Sequence, residues 1–182
     1  MFNIFLNKLK ESAQAQGIEN PYHPEECTCV IACGSEMGTT MVFSIALQKF
    51  LLEMGIKCHL IEMNDFRAFP TMDHLLILTS THGVGNAPFN ALQFIRKFNR
   101  IRSSRKFQYA VVGFGSRRYP TFCHFAENVD FLLRSKDNTT EWIALTRIND
   151  QSLTEFKIWF DELFVKMGGQ LSIQFDPPNT ST

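Results

Sequence analysis

No stretch of this 182-residue chain approaches the eighteen or more consecutive apolar residues of a membrane span, which argues against a hydrophobic transmembrane helix. Net charge is absent too. The 18 lysines and arginines balance 18 aspartates and glutamates, so the overall basic excess of a nucleic-acid groove is missing and no nucleic-acid partner is expected. The five cysteines include no C-x-x-C pair, and Cys27 and Cys29 with the upstream His23 match no zinc framework, so no metal site is expected. An odd cysteine count without an opening secretory signal fits reduced thiols in a cytoplasmic protein. The Walker ending Gly-Lys-Ser/Thr, the Gly-x-Gly-x-x-Gly fingerprint, a catalytic triad and paired carboxylates are all missing.

What is present is apolar and periodic. Hydrophobic residues make up 45% of the chain, and 18 phenylalanines point either to heavy aromatic packing or to an aromatic docking surface. Residues 2–16 place Phe2, Phe5, Leu6 and Leu9 at helical spacing, and a polar linker follows through Pro21 and Pro24. Buried strands are predicted at 27–34, 56–63, 74–80, 107–115 and 141–146. Helices are predicted at 39–55, 87–101, 121–135 and 152–169, the third of the chain's five helices using Phe89, Leu92, Phe94, Ile95 and Phe98 as its apolar positions. Such alternation predicts a doubly wound α/β fold, because parallel neighbours need helical crossovers. The expected organisation is an N-terminal helix and linker over 1–26, one domain over 27–169 and a linker-like tail over 170–182, where Pro-Pro and Asn-Thr-Ser-Thr build no core.

In an open α/β sheet, ligands sit beyond the carboxyl ends of the strands. The loops there read GSEMGTT (34–40), STHGVGNAP (80–88) and GFGSRRYPTF (113–122). The first opens a helix whose unpaired amides suit a phosphate, with Ser35, Thr39 and Thr40 adding hydroxyls and no cation present. The plain alternative is that Ser35 and Thr39 only cap the helix. The second and third loops each offer one flat side chain, His82 and Tyr119, and glycines at 83, 85, 113 and 115 permit close backbone approach. A planar heterocycle between His82 and Tyr119 would account for all three loops together.

Residues 28–164 resemble the flavodoxin-like, FMN-binding domain of diflavin reductases, a family that includes cytochrome reductases, sulfite reductase flavoproteins and nitric oxide synthases. The first motif is carried by Ser35-Glu36-Met37-Gly38-Thr39-Thr40, and the second by Ser80-Thr81-His82-Gly83-Val84-Gly85-Asn86-Ala87-Pro88. The third, Tyr-Ala-Val-x-Gly-x-Gly-Ser-x-x-Tyr-Pro-x-Phe-Cys-x-Phe-Ala from Tyr109 to Ala126, is similar to the nitric oxide synthase branch. The resemblance implies a five-stranded parallel sheet of order 2-1-3-4-5 with helices on both faces. It also implies FMN held by Ser35, Glu36, Met37, Gly38, Thr39 and Thr40 at the phosphate. Around the ring it implies Ser80, Thr81, His82, Gly83, Gly85, Asn86, Gly115, Ser116, Tyr119, Phe122 and Cys123. Tyr119 would stack on the ring, His82 would take the inner face, and Gly83 would be the residue whose peptide reorients toward a flavin nitrogen. An FAD/NADPH reductase module, in the same or a separate chain, would supply electrons, and a haem protein would accept them. The chain would then be a fragment or one component of a larger NADPH-dependent oxidoreductase.

Several residues depart from that pattern. Met37 removes a hydroxyl from the phosphate loop, His82 replaces a Phe or Tyr, and Asn86 replaces an acid. Arg117 and Arg118 directly precede Tyr119. One charge about 10 Å away at an effective dielectric near 20 contributes about 1.5 kcal/mol, so the pair is expected to raise the flavin's second potential. Lys8 and Lys10 alone make a thin calmodulin target, so calmodulin is not expected and the N-terminal helix is expected to dock on its own domain or an upstream one. Two other readings stay open: a flavodoxin-fold docking module that has lost FMN, and a free-standing flavin enzyme reducing a small molecule such as a quinone.

Overall fold

A computed structural model describes residues 1–14 and 17–169. The linker-like tail expected at 170–182 and the last two residues of the predicted first helix lie outside the described residues. Five strands form one sheet in the order β2-β1-β3-β4-β5: β1 (Cys29–Gly34), β2 (Cys58–Glu62), β3 (His74–Ser80), β4 (Phe107–Gly115) and β5 (Thr139–Asn149). All four pairings are parallel. The helices are α1 (Phe2–Ser12), α2 (Thr39–Glu53), α3 (Phe94–Arg100), α4 (His124–Arg134) and α5 (Leu153–Lys166).

The continuous apolar runs of the central strands reflect burial on both faces, and period-2 alternation divides them between two cores. From β1, Cys29, Ile31 and Cys33 join the core under α1, α2 and α5, while Val30 and Ala32 join the core under α3 and α4. In β3, Leu76 and Leu78 take the first side and Leu75 and Ile77 the second. Thirteen of the 18 phenylalanines are buried, so their abundance is chiefly internal packing.

The N-terminal helix belongs to this packing. Phe5 is fully buried, its ring 5.0 Å from Phe156 and 4.9 Å from Phe160, and Phe2 meets Phe160 edge-on. Behind it, Asn20 closes the open edge of the sheet by mimicking a strand. Its side chain accepts from the Leu60 amide at 2.8 Å and donates to the Leu60 carbonyl at 2.9 Å.

Two elements differ from the sequence pattern. The predicted helix over 87–101 is real only over Phe94–Arg100, with a 3-10 turn at Phe89–Ala91 before it. Phe94 and Phe98 are buried, but Phe89, Leu92 and Ile95 face outward. Side chains from other loops hold the backbone in that turn: Glu36 takes the Phe89 amide and Asn64 takes the Gln93 amide. β5 runs from 139 to 149 rather than 141 to 146, because its pairing with β4 resumes after irregularities beside Tyr109 and Ala110. As an edge strand it fully buries only Ile143 and Ile148, which blurs its apolar signal.

Truncating Phe5 to alanine should lower stability by about 3–5 kcal/mol in guanidinium unfolding. A loss below about 1 kcal/mol would show that α1 is not part of the cooperative unit.

Candidate functional site

Strand order reverses between β1 and β3, and the loops leaving their carboxyl ends, with those leaving β4 and β5, enclose a cleft of about 360 Å³. Residues from the first three of these loops line it: Ser35, Glu36, Met37, Thr39 and Thr40 after β1; Ser80, Thr81 and His82 after β3; and Gly115, Ser116 and Tyr119 after β4. Gly83, Phe122 and Cys123 line a small adjoining recess. Gly38, Gly85 and Asn86 line neither space, and act through backbone shape.

The β1–α2 loop is built for donors. Gly38 adopts φ 84°, a left-handed conformation open to glycine, and turns the chain into α2. Among the described residues, the amides of residues 36–41 donate to no protein acceptor, and the hydroxyls of Ser35, Thr39 and Thr40 have no partner. Such a cluster of free donors at a helix start suits an anionic oxygen-rich group. Met37 is 92% exposed, so its side chain leaves the loop interior clear. Glu36 lines the cleft as well, but its carboxylate is engaged by the second loop. Oε2 accepts from the Phe89 amide at 2.7 Å, and Oε1 lies 3.7 Å from His82 Nδ1. Asn90 Oδ1 accepts from the Ser35 amide at 2.7 Å. Glu36 and Asn90 thereby fasten the first loop to the second.

The second loop is a tight turn in which His82 and Asn86 exchange amide–carbonyl bonds of 2.9 and 2.8 Å. Gly85 is required inside it for two reasons: φ is 106°, and a Cβ would come within 2.9 Å of the His124 ring. Thr81 Oγ1 accepts from the Phe125 amide at 3.2 Å, tying this loop to the start of α4.

In the third loop Tyr119 is 64% exposed at the mouth of the cleft, with no core contact to explain a large ring there. Phe122 is half-buried beneath the Arg117 guanidinium, 5.6 Å from its ring centroid. Cys123 starts α4 in a left-handed conformation, and its side chain is fully buried. Burial pushes its thiol up to about 12, so it stays protonated. Gly113 belongs to packing: a Cβ there would meet Ala126 at 2.7 Å. Arg117 is not a free charge, since it pairs with Glu155 at 2.9 Å. The electrostatic effect expected of two arginines therefore rests on Arg118.

Sequence reasoning missed three residues of the cleft. Phe114 closes its floor, and Asp150 and Gln151 line it from the β5–α5 turn. The latter two have positive φ, 44° and 60°. The Asn-Asp pair ahead of Gln151 is the kind of turn chemistry that tolerates such a conformation, but Gln151 itself gave no signal. The Asp150 amide donates to the Gly115 carbonyl at 2.7 Å, which draws this turn against the third loop.

The family model described as Flavodoxin matches residues 31–159. The chain is 30% identical over 159 residues to the inducible nitric oxide synthase of Oncorhynchus mykiss, covering 80% of this chain and 33% of that protein. It is 32% identical over 108 residues to the sulfite reductase (NADPH) flavoprotein alpha-component of Photobacterium profundum, covering 57% of this chain and 18% of that protein. The matches thus span about a fifth to a third of these relatives' lengths. A cysteine-to-serine variant of flavodoxin from Pseudomonas aeruginosa superposes with a TM-score of 0.66 at 23% identity, over 78% of this chain and 99% of that one. That likeness is one of fold.

Replacing Asn90 with alanine should leave the Ser35 amide without its acceptor. A loss of about 1–3 kcal/mol is expected, with faster hydrogen exchange at that amide; unchanged exchange would contradict the loop tie.

Proposed function

The chain belongs to the flavodoxin family, whose cofactor is FMN, and from that premise we propose that its cleft holds FMN and relays single electrons from an FAD- and NADPH-dependent reductase to a haem-protein acceptor. The observation that carries this reading is the set of amides of residues 36–41 and hydroxyls of Ser35, Thr39 and Thr40, unpartnered among the described residues, facing two exposed flat side chains, His82 and Tyr119. These residues fit the group. The donors of the first loop would hold the phosphate without a cation, and Tyr119 and His82 would flank the ring. When bound, the flavin supplies the one- and two-electron chemistry.

The protein's own part is to bind, orient and exclude water. Glu36 and Asn90 keep the phosphate loop and the His82 turn in register, so both ends of one ligand meet a preset spacing. Phe114 supplies apolar floor, and Asp150 and Gln151 close the side between the third loop and α5. The Arg117–Glu155 pair and the bond from the Arg117 amide to Asn149 Oδ1 at 2.7 Å hold the Tyr119 loop against that turn. The relatives' reductase portions motivate the donor, and the synthase resemblance of the Tyr109–Ala126 run motivates the acceptor. A flavin-free docking module is the second reading, favoured by exposed Met37, Val84 and Phe89 on the loops that bound the cleft.

The protein incubated with FMN and desalted should retain flavin absorbance with quenched fluorescence, and Tyr119→Ala should weaken FMN binding about tenfold or more. NADPH alone should leave the bound flavin oxidised, whereas adding a catalytic amount of an FAD/NADPH reductase should bleach it. A colourless protein with no saturable FMN titration would leave the docking module as the reading.

A further inference from the structure

The zero net charge conceals a division. Between Asp73 and Glu127 the chain holds eight of its 18 lysines and arginines and not one acidic residue, so the rest carries ten cations against 18 acids. Two of the eight, Arg117 and Arg118, belong to the cleft. The other six, Arg96, Lys97, Arg100, Arg102, Arg105 and Lys106, fall on α3 and the segment leading into β4. Arg105 pairs with Asp73, and the remaining five form no ion pair among the described residues. Arg96, Arg100, Arg102 and Lys106 are exposed.

The same segment runs past a recess of about 80 Å³ at the amino ends of β3 and β4, the opposite end of the sheet from the cleft; Arg105 lines it, and Arg100 and Arg102 flank Ile101, which lines it too. Buried Phe66, Phe69, Phe98 and Phe107 form its floor, Arg67, Arg105 and Lys136 stand on its wall, and no carboxylate lines it. The wall is organised. Arg105 Nε donates to the Met72 carbonyl at 2.8 Å, Lys136 Nζ donates to Asn99 Oδ1 at 2.7 Å, and the Arg67 guanidinium lies 5.6 Å from the Phe69 ring centroid.

The geometry points to a docking site for an acidic segment of a partner protein that buries one aliphatic side chain in this recess. Charge selects the class: a surface of unpaired cations attracts and orients an anionic chain. Size selects the anchor. A cavity of about 150 Å³ admits a benzene ring, and this one, about half as large, takes a side chain of valine or leucine size. A nucleic acid fits less well, because the floor phenylalanines are 4–8% exposed and offer no face on which a base can stack. A lipid surface fits less well, because Ile95 is exposed on α3 but none of the residues lining the recess is an exposed large apolar side chain that could insert. The site is independent of the flavin cleft.

The test is fluorescence anisotropy of a dye-labelled peptide of acidic residues around one central leucine, titrated with the full chain. Saturable binding that falls with added salt is expected. Exchanging the peptide's leucine for alanine should weaken it about tenfold. The double substitution Arg100→Glu and Arg102→Glu should also weaken it about tenfold. Ala68→Trp, which fills the recess, should abolish the leucine dependence and keep the salt dependence; circular dichroism checks that each variant is folded. No saturable binding, binding indifferent to the leucine, or preferential binding of oligo(dT) or phosphatidylserine vesicles would each overturn the proposal.

Discussion

A parallel sheet covered on both faces leaves a polar ligand nowhere to sit except beyond the ends of its strands. That constraint governs this molecule. Val30 and Ala32 are committed to one core and Cys29, Ile31 and Cys33 to the other, so every position of β1 up to Gly34 is used for packing. The first residues able to do chemistry are those of the loop that follows. The same holds for β3, which becomes polar only at Thr79 and Ser80, and for β4, which ends at Gly115. Because strand order reverses between β1 and β3, the loops leaving them splay apart, and the cleft opens where they do.

The cleft is held open by bonds between loops rather than by the sheet. Glu36, Asn90, Thr81 and Asn149 each use a side chain to fasten one loop to another element. This changes how Glu36 is understood. By motif it belongs to a phosphate-binding run, where a carboxylate would oppose an anion, yet its oxygens are directed to the Phe89 amide and toward His82. The donors left free at the loop are then neutral ones. The glycines divide in the same way. Gly38 is needed for its backbone conformation, and Gly113 for the close packing of α4 on β4.

The two ends of the sheet are electrostatically distinct. At the cleft, Arg117 is compensated by Glu155, which leaves a mixed and partly neutral rim. At the opposite end, Arg96, Arg100, Arg102 and Lys106 on α3 and the approach to β4 are exposed and form no ion pair among the described residues. A chain of zero net charge therefore presents a basic surface, and composition alone concealed it. Charge balance excludes little about docking when one stretch between Asp73 and Glu127 carries no acid at all.

Period-2 and period-3.6 apolar patterns were enough to locate five strands and five helices, because burial on both faces leaves a continuous hydrophobic trace that no loop shares. The three glycine-bearing loops were legible for the same reason: polar residues interrupt that trace at the carboxyl end of each strand. Local pattern misled at Phe89, Leu92 and Ile95, whose helical spacing is genuine but whose backbone is held in a turn by Glu36 and Asn64 from distant loops. It also failed at Asp150 and Gln151, which reach the cleft through the pairing of β5 with β4, a contact between residues far apart in the chain. Sequence by itself determined which segments are buried and which residues stand at strand ends, since both follow from the order of side chains along the chain. Only the tertiary structure decided which loops are tied together, which charges are compensated and where the basic recess opens, since each depends on distances between residues that share no local pattern.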